Sequence, residues 1–359
     1  MLAAALLAVT LAGPARAETA TITDMAGRAV RVPDEAGRVV CLGPGALRLI
    51  VYLQAADRVV GVENMEKLRP TGRPYWIATP ALHRLPVCGP GGPAAINKKP
   101  DLEAILQLAP NLIFVTYMDA SLADEIQRTL DIPVVVLSYG ELGTFDEAVF
   151  EALRIAGRLL GRQERAEAVV AFVESLRRDL EGRTGDIPVA DRPEVFVGGI
   201  GYRGARGIES TEQNYFPLEW VHAVNLARRV DPTIGSHVFL DKEGLLRLDP
   251  PTIFVDGGGL ELVAADFAKK PSFYRALRAF AGGRVYTLFP FNYYTTNIGT
   301  AAADAYAIGK ILFPERFADV DPADKADEIY TFLVGAPVYA RMAVDFGPLG
   351  GVPAFVRER

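Results

Sequence analysis

Eight side chains in this sequence are candidates for binding chemistry, because each falls in a loop that follows a predicted strand or flanks a glycine-rich turn. They are Tyr75, Trp76, Tyr117, Tyr202, Arg203, Glu209, Tyr293 and Tyr294. Ligands of α/β proteins bind outside the carboxyl ends of strands, so we expect these groups to line one cleft. Any single tyrosine could instead simply cap a sheet.

The expected chemistry is recognition of an organic chelate that carries an anionic group. Flat rings offer apolar area with a polar tip, and an arginine offers fixed donors to carboxylate, catecholate or phosphate oxygens. Arg203 is the expected anchor of such an anionic group. A tyrosine phenolate reaching a metal directly is a second, weaker possibility.

Catalytic and metal-binding motifs have no counterpart in the sequence. The three histidines, His83, His222 and His237, are far apart and lack ligand-like spacing. The glycine-rich stretches lack the ending of a phosphate-binding loop, and there is no G-x-S-x-G or H-E-x-x-H pattern. We therefore expect a binding protein without a bound cofactor or metal of its own. The rival interpretation is an exported α/β enzyme that acts on a chelate through Glu209, Arg203 and a tyrosine.

Composition excludes several other classes of protein. The 359 residues are 50% hydrophobic and carry a net charge of -6, which suits two soluble domains and gives no basic surface for nucleic acid. Residues 1–17 have the apolar stretch and the Ala15-Arg16-Ala17 ending of a cleavable signal peptide. No cysteine follows the cleavage point, so we expect a free periplasmic protein. Cys41 and Cys88 could form a disulfide or remain two buried thiols.

The hydrophobic pattern predicts an α/β fold with two lobes, each a parallel-rich sheet flanked by helices. Continuous apolar runs typical of buried parallel strands occur at 39–42, 59–62, 112–115 and 134–137, and again at 195–197, 252–255 and 285–288. Helical patterns lie between them, including 213–229, 265–281 and 297–313. The predicted lobes cover residues 18–143 and 186–359, the second with a C-terminal tail.

A helical region at 144–185 is predicted to join the lobes. It lacks proline, begins with a capping pattern of Thr144 and Glu147, and is divided by Gly161. The segment from Gln163 to Glu181 would form a helix of about 28 Å. Such a helix is a stiff connector, so we expect limited closure of the lobes around a ligand.

The chain resembles the class III, helical-backbone periplasmic binding proteins that serve importers of ferric siderophores, haem and cobalamin. The similar segments are residues 22–33, 38–44, 57–62, 99–113 and 245–255, in that order and spacing. The resemblance implies a monomer that holds its ligand between the lobes and delivers it to an ABC permease in the inner membrane. It favours a metal chelate, either an iron complex or a corrinoid. The main competitor is a tetrahedral oxyanion such as molybdate, which the glycine-rich loops and arginines could also hold.

One departure from the family affects the expected permease contacts. Many relatives carry a glutamate on the first helix of each lobe, whereas the corresponding positions here hold Arg48 and Val224. We therefore expect Arg48 to face the permease surface. Glu63 and Glu212 are candidate substitutes for the missing glutamates, as are Glu66 and Glu219.

Overall fold

The computed structural model describes residues 19–68, 71–140, 145–202, 204–230 and 236–357. The predicted signal peptide, the capping residue Thr144 and the candidate anchor Arg203 lie outside these residues. Within them, no helix is long and apolar enough to cross a membrane.

The first lobe consists of a hairpin, a parallel sheet and five helices. The hairpin strands are β1 (Thr19–Thr23) and β2 (Ala29–Pro33), and the sheet strands are β3 (Val39–Leu42), β4 (Val59–Gly61), β5 (Leu112–Thr116) and β6 (Val134–Leu137). The helices are α1 (Ala46–Tyr52), α2 (Asn64–Leu68), α3 (Pro74–Ala78), α4 (Leu102–Leu108) and α5 (Ala120–Leu130). The sheet order is β4-β3-β5-β6, all parallel. β3, β5 and β6 are buried along their whole length, which explains their unbroken apolar sequences.

Two helices connect the lobes, α6 (Ala148–Leu159) and α7 (Gln163–Thr184). Gly161 separates them in a left-handed conformation, with φ of 61°, as a glycine permits. α7 begins at the predicted residue and has 22 residues, or about 33 Å at 1.5 Å per residue. It is therefore somewhat longer than the sequence indicates, and it is long enough to reach from one sheet to the other.

The second lobe repeats the parallel architecture. Its strands are β7 (Glu194–Gly198), β8 (Ser210–Glu212), β9 (Val224–Asn225), β10 (His237–Phe239), β11 (Ile253–Asp256) and β12 (Val285–Leu288). The parallel sheet has the order β12-β11-β7-β9, and β8 pairs with β10 in an antiparallel ribbon. The helices are α8 (Phe216–Trp220), α9 (Lys242–Leu248), α10 (Leu260–Lys269), α11 (Pro271–Ala276), α12 (Arg278–Ala281), α13 (Ile298–Leu312), α14 (Pro322–Val334), α15 (Tyr339–Phe346) and α16 (Ala354–Arg357).

Short 3₁₀ helices complete the described secondary structure. They cover Ala56–Arg58, Pro80–Arg84, Pro93–Ala95, Val189–Asp191, Leu226–Arg229 and Gly257–Gly259.

Two predicted helices are wrong in extent. The stretch 213–229 contains α8, β9 and a 3₁₀ turn, because the Asn225 side chain donates to the backbone carbonyls of Glu212 and Gln213 and accepts from the Ala227 N–H. These bonds compete with helical ones. The stretch 265–281 is divided among three helices, and the first of the two breaks falls at Pro271, which has no N–H to continue α10.

The C-terminal helices pack back onto the first lobe. α14 contacts α1 and α3, and Arg165 of α7 donates to the carbonyls of Tyr52 in the first lobe and Phe332 in α14. One continuous hydrophobic cluster includes buried residues from both lobes and from α6, α7, α13 and α14. The lobes are thus joined by shared core as well as by α7.

Candidate functional site

A cleft of about 140 Å³ lies between the lobes. Three second-lobe loops form most of it, and each follows the carboxyl end of a parallel strand, β7, β11 or β12. The first lobe adds Met65 and Pro93. The second-lobe lining is Ile200, Gly201, Gly204, Ala205, Asp256, Gly258, Pro290, Asn292, Tyr293 and Tyr294. This is the edge of the sheet at which α/β proteins bind ligands.

The loop after β12 supplies the most polar wall of the cleft. Tyr294 and Thr295 both adopt left-handed backbone conformations, with φ of 57° and 64°. The Asn297 side chain donates to the carbonyls of Phe291 and Tyr293, at 2.9 and 3.1 Å, and so closes the turn on itself. The turn therefore presents Asn292 and Tyr293 side by side to the cleft.

Two carboxyl groups lie at or next to the cleft. Asp256 ends β11, is 4% exposed, and accepts a hydrogen bond from the Gly258 N–H at 2.8 Å. Burial raises the pKa of Asp256 to about 7. Glu212 in β8 is also 4% exposed, and burial together with the nearby charge of Asp256 raises its pKa to about 8, against a smaller opposing effect of a hydrogen bond with Asn292.

No ion pair in the described part of the chain neutralises either carboxyl. One oxygen of Glu212 is buried without a hydrogen-bond partner. Isolated buried carboxylates are strongly disfavoured, so these groups hold protons at a pH where exposed acids are ionised. The site is consequently less negative than its composition indicates.

A second, much larger depression runs along α7. This open groove has a volume of about 1040 Å³ and is lined by aromatic residues and charged side chains, including Phe145, Trp220 and Arg177. The Arg177 guanidinium stacks on the Phe145 ring and pairs with Glu147. Because the groove lies along the side of a helix and its two arginines, Arg177 and Arg178, already have hydrogen-bond partners, we take the cleft as the candidate binding site.

Of the eight predicted site residues, Tyr293 and Tyr294 line the cleft. Tyr117 lies beside it, where its hydroxyl is 2.8 Å from the Thr295 hydroxyl. Tyr202 is adjacent to the lining residue Gly201, but it is 40% exposed and stacks on His237. Arg203 lies outside the described residues, between Tyr202 and Gly204 in the chain.

Three of the predicted residues lie elsewhere. Tyr75 is fully buried and its hydroxyl donates to Glu66, so it belongs to the first-lobe core. Trp76 is 2% exposed and stacks on His83. Glu209 points to Lys242, with 3.4 Å between its Oε1 atom and the lysine Nζ atom, and it is not among the residues that line the cleft. Placing these three side chains on the cleft wall was wrong, because α3 turns its aromatic rings inward and Lys242 holds Glu209.

The predicted docking surface is also wrong at Arg48, Glu63 and Glu212. Their residues are 0%, 7% and 4% exposed. Arg48 donates across the lobe boundary to backbone carbonyls of the loop after β12, and Glu63 accepts from the Tyr294 hydroxyl. A side chain enclosed in this way cannot present its charge to a permease.

Cys41 and Cys88 are free, buried thiols. Cys41 lies in β3, whereas Cys88 follows a parallel bridge between Val87 and Val62 beyond the end of β4. Two strand spacings would separate their Cα atoms by roughly 9 to 10 Å. That distance exceeds the range of about 7 Å in which a disulfide can form.

Sequence reasoning missed Asp256 and Asn292 as cleft residues. Asp256 stands directly before the Gly257-Gly258-Gly259 stretch, so a carboxylate at the end of a buried strand was the available signal. Asn292 stands directly before the two predicted tyrosines, and its position after the end of β12 was the available signal. No local pattern marks Met65 or Pro93, which reach the cleft only through the arrangement of the lobes.

The sequence and fold match proteins that carry solutes to importers. A profile described as "Periplasmic binding protein" matches residues 39–290. The molybdate-binding protein MolA of Haemophilus influenzae is 25% identical over 333 residues, covering 86% of this chain and 89% of MolA. YvrC of Bacillus subtilis, an uncharacterised ABC transporter substrate-binding lipoprotein, is 23% identical and covers 75% of this chain and 78% of YvrC.

Solved structures show the same two-lobe fold around different ligands. MolA bound to molybdate superposes with a TM-score of 0.69 at 22% identity, over 89% of this chain and 98% of MolA. A periplasmic haem-binding protein from Pseudomonas aeruginosa gives a TM-score of 0.54 at 22% identity, over 78% and 94%. The profile match spans both parallel sheets and the helix that joins them, and the chain therefore belongs to the periplasmic binding protein family, in the class whose lobes are linked by a rigid helix.

Proposed function

We propose that this protein captures a small tetrahedral oxyanion of the molybdate class between its lobes and delivers it to an ABC importer. The observation that carries the proposal is the size of the cleft. Its volume is about 140 Å³. Pockets for organic ligands of drug size measure about 300 to 1,000 Å³, so a siderophore complex, haem or corrinoid is too large for the cleft as it stands.

The chemistry of the cleft wall is compatible with an oxyanion. Asn292, Tyr293 and Tyr294 bring neutral amide and hydroxyl groups to one side. Glycines at 201 and 204 on the opposite loop allow close approach of the backbone to a ligand. Arg203, between these glycines in the sequence, remains our predicted anchor for the anion. MolA, the relative that binds molybdate, supports the same ligand class.

Binding measurements with two groups of ligands test the proposal. Molybdate, tungstate, sulfate and phosphate form one group, and a ferric siderophore, haem and cobalamin form the other. We expect at least one oxyanion to bind in calorimetry and to raise the thermal midpoint, since a ligand that binds only the folded state stabilises it. Binding of a chelate with no binding of any tetrahedral oxyanion would overturn the proposal.

Substitutions then locate the ligand. Arg203→Ala should weaken oxyanion binding by about 1.5 to 3 kcal/mol, the usual range for a hydrogen bond to a charged group, or roughly ten- to a hundredfold. The stability of the protein should change little. The double variant Tyr293→Ala, Tyr294→Ala should also weaken binding.

Arg154→Ala is the matched control, because Arg154 forms only an exposed ion pair with Glu167 on α7. Unchanged affinity in both the Arg203 and the tyrosine variants would show that the cleft is not the site. A chelate that binds to these variants normally but is lost in Trp220→Ala would instead place the ligand in the groove along α7.

A further inference from the structure

Arg48 joins the two lobes through an unusual set of hydrogen bonds. It projects from α1 of the first lobe and is completely buried. Its guanidinium donates to the backbone carbonyls of Thr296, Tyr294 and Tyr293 in the second lobe, at 2.8, 2.9 and 3.1 Å. All three acceptors belong to the loop that walls the cleft.

The burial of this charge points to a role beyond packing. No ion pair in the described ranges involves Arg48. Instead, the rings of Tyr75 and Tyr139 lie 5.0 and 5.9 Å from the guanidinium carbon. A buried charge held by carbonyls and rings is costly, and an apolar side chain of similar size would fill the same space more cheaply. What an apolar residue could not do is bind three carbonyls at once.

Other first-lobe groups hold the same loop. The Tyr294 hydroxyl donates to Glu63 at 2.6 Å and accepts from the Gly92 N–H at 3.0 Å. The hydroxyls of Tyr117 and Thr295 are 2.8 Å apart. Together with the three bonds of Arg48, these contacts form what we call the interlobe latch.

The backbone of the loop requires such support. Two consecutive residues without glycine's freedom, Tyr294 and Thr295, are left-handed, a conformation that persists only where the surroundings enforce it. The first lobe also fits closely against them. A Cβ on Gly45 at the start of α1 would lie 2.5 Å from the Thr295 methyl carbon, so only glycine fits there.

We infer that Arg48 is a positioning residue that holds the loop at 293–296 against the first lobe, so that the cleft is closed to its small size before a ligand arrives. Arg48 does not line the cleft, so its effect on binding is exerted through Tyr293, Tyr294 and the width of the opening. The expected effect of Arg48 does not depend on which ligand the cleft takes.

The test measures the distance between the lobes in the absence of ligand. Spin labels are attached to Leu106→Cys in α4 and Leu262→Cys in α10, which are 50% and 45% exposed, while the native thiols are buried. In the otherwise unchanged protein we expect one narrow distance distribution that does not shift when molybdate is added. In Arg48→Met we expect a broader distribution with longer distances.

Affinity is the second readout. Whichever of molybdate, tungstate, sulfate, phosphate, haem and cobalamin the wild type binds, Arg48→Met should raise its dissociation constant at least tenfold, mainly through faster dissociation. Arg48→Lys keeps the charge but cannot reach three carbonyls in a fixed fork, so it should show both effects in weaker form. If the methionine variant does not fold, Arg48→Lys still tests whether Arg48 holds the loop at 293–296 against the first lobe.

Tyr75→Phe is the matched control. It removes a buried hydroxyl that contacts Glu66 within the first lobe while keeping the ring beside Arg48, so neither the distance nor the affinity should change. A broad or ligand-shifted distribution in the wild type, or wild-type distances in a folded Arg48 variant, would overturn the inference. If no oxyanion binds but the distances change as expected, the latch stands and the proposed function fails.

Discussion

Replacing Glu212 by glutamine should make the stability of this protein less dependent on pH. Glu212 is buried beside the cleft near Asp256, and its pKa rises from the ordinary value of 4.5 to about 8. Glutamine has nearly the same shape and stays neutral, so it mimics the protonated glutamate at every pH. Below about pH 4.5, Glu212 is protonated in both the folded and the unfolded protein, so it does not change the free energy of unfolding as the pH varies.

The sign and size of the effect follow from proton linkage. Between about pH 4.5 and 8 the folded state keeps the proton that the unfolded state has lost, so the free energy of unfolding falls as the pH rises. At 1.36 kcal/mol per pKa unit, the shift of Glu212 from 4.5 to about 8 amounts to at most about 5 kcal/mol above pH 8.

Urea unfolding at several pH values from 4.5 to 9 is the assay. The glutamine variant should match the wild type at pH 4.5 and exceed its free energy of unfolding by about 2 to 5 kcal/mol at pH 9. Glu219→Gln is the control for replacing a glutamate by glutamine, since that glutamate is partly exposed and paired with Arg228, and it should not reproduce the stabilisation expected of Glu212→Gln. Parallel curves for wild type and Glu212→Gln would refute the reasoning.

Three further outcomes are expected. Asp256→Asn should tighten oxyanion binding roughly three- to tenfold at pH 8 and leave it unchanged at pH 5. The reason is that the carboxylate, with a pKa of about 7, repels an anion only when it is ionised. Calorimetry at the two pH values tests this expectation. Burial raises the pKa of Cys88 to about 12 and that of Cys41 well above its ordinary range. Both thiols should therefore react with a disulfide reagent at least about a hundredfold more slowly in the native protein than in urea. Rapid labelling of the native protein would contradict this prediction. N-terminal sequencing of the exported protein should begin at Glu18, and a retained Met1 would contradict the predicted cleavage.

The strands were predictable from sequence because their burial leaves a local signature. β3, β6 and β12 occupy the predicted residues, and β5, β7 and β11 differ by one residue at one or both ends. A strand buried on both faces needs a short run of β-branched and aromatic residues, which neighbouring residues alone reveal. Helices of the second lobe were less predictable, because single side-chain bonds such as those of Asn225 decide where they break.

The site was harder to predict because its contacts are distant in sequence. Arg48 and its acceptors are separated by about 246 residues, so nothing near α1 indicates that this arginine turns inward. Tyr75 and Trp76 stand in a stretch rich in glycine and proline that resembles an exposed loop, yet α3 buries both rings. Tyr293 and Tyr294, which line the cleft, were predictable as cleft residues because they follow a strand end, and a strand end is a local feature.

The interlobe latch also bears on which ligands the cleft can accept. If a ligand larger than the cleft separated the loop at 293–296 from the first lobe, it would break six hydrogen bonds, three from Arg48 and three involving Tyr294 or Tyr117. At a net value of about 1 kcal/mol each, this opening would cost on the order of 6 kcal/mol, or roughly a factor of 10⁴ in affinity. A small oxyanion that fits the existing cleft would leave these hydrogen bonds intact and would bear no such cost. Under the proposed function, size selection by the latch would favour a compact ligand over a bulky chelate, and protonation of Asp256 and Glu212 would lessen their repulsion of an anion.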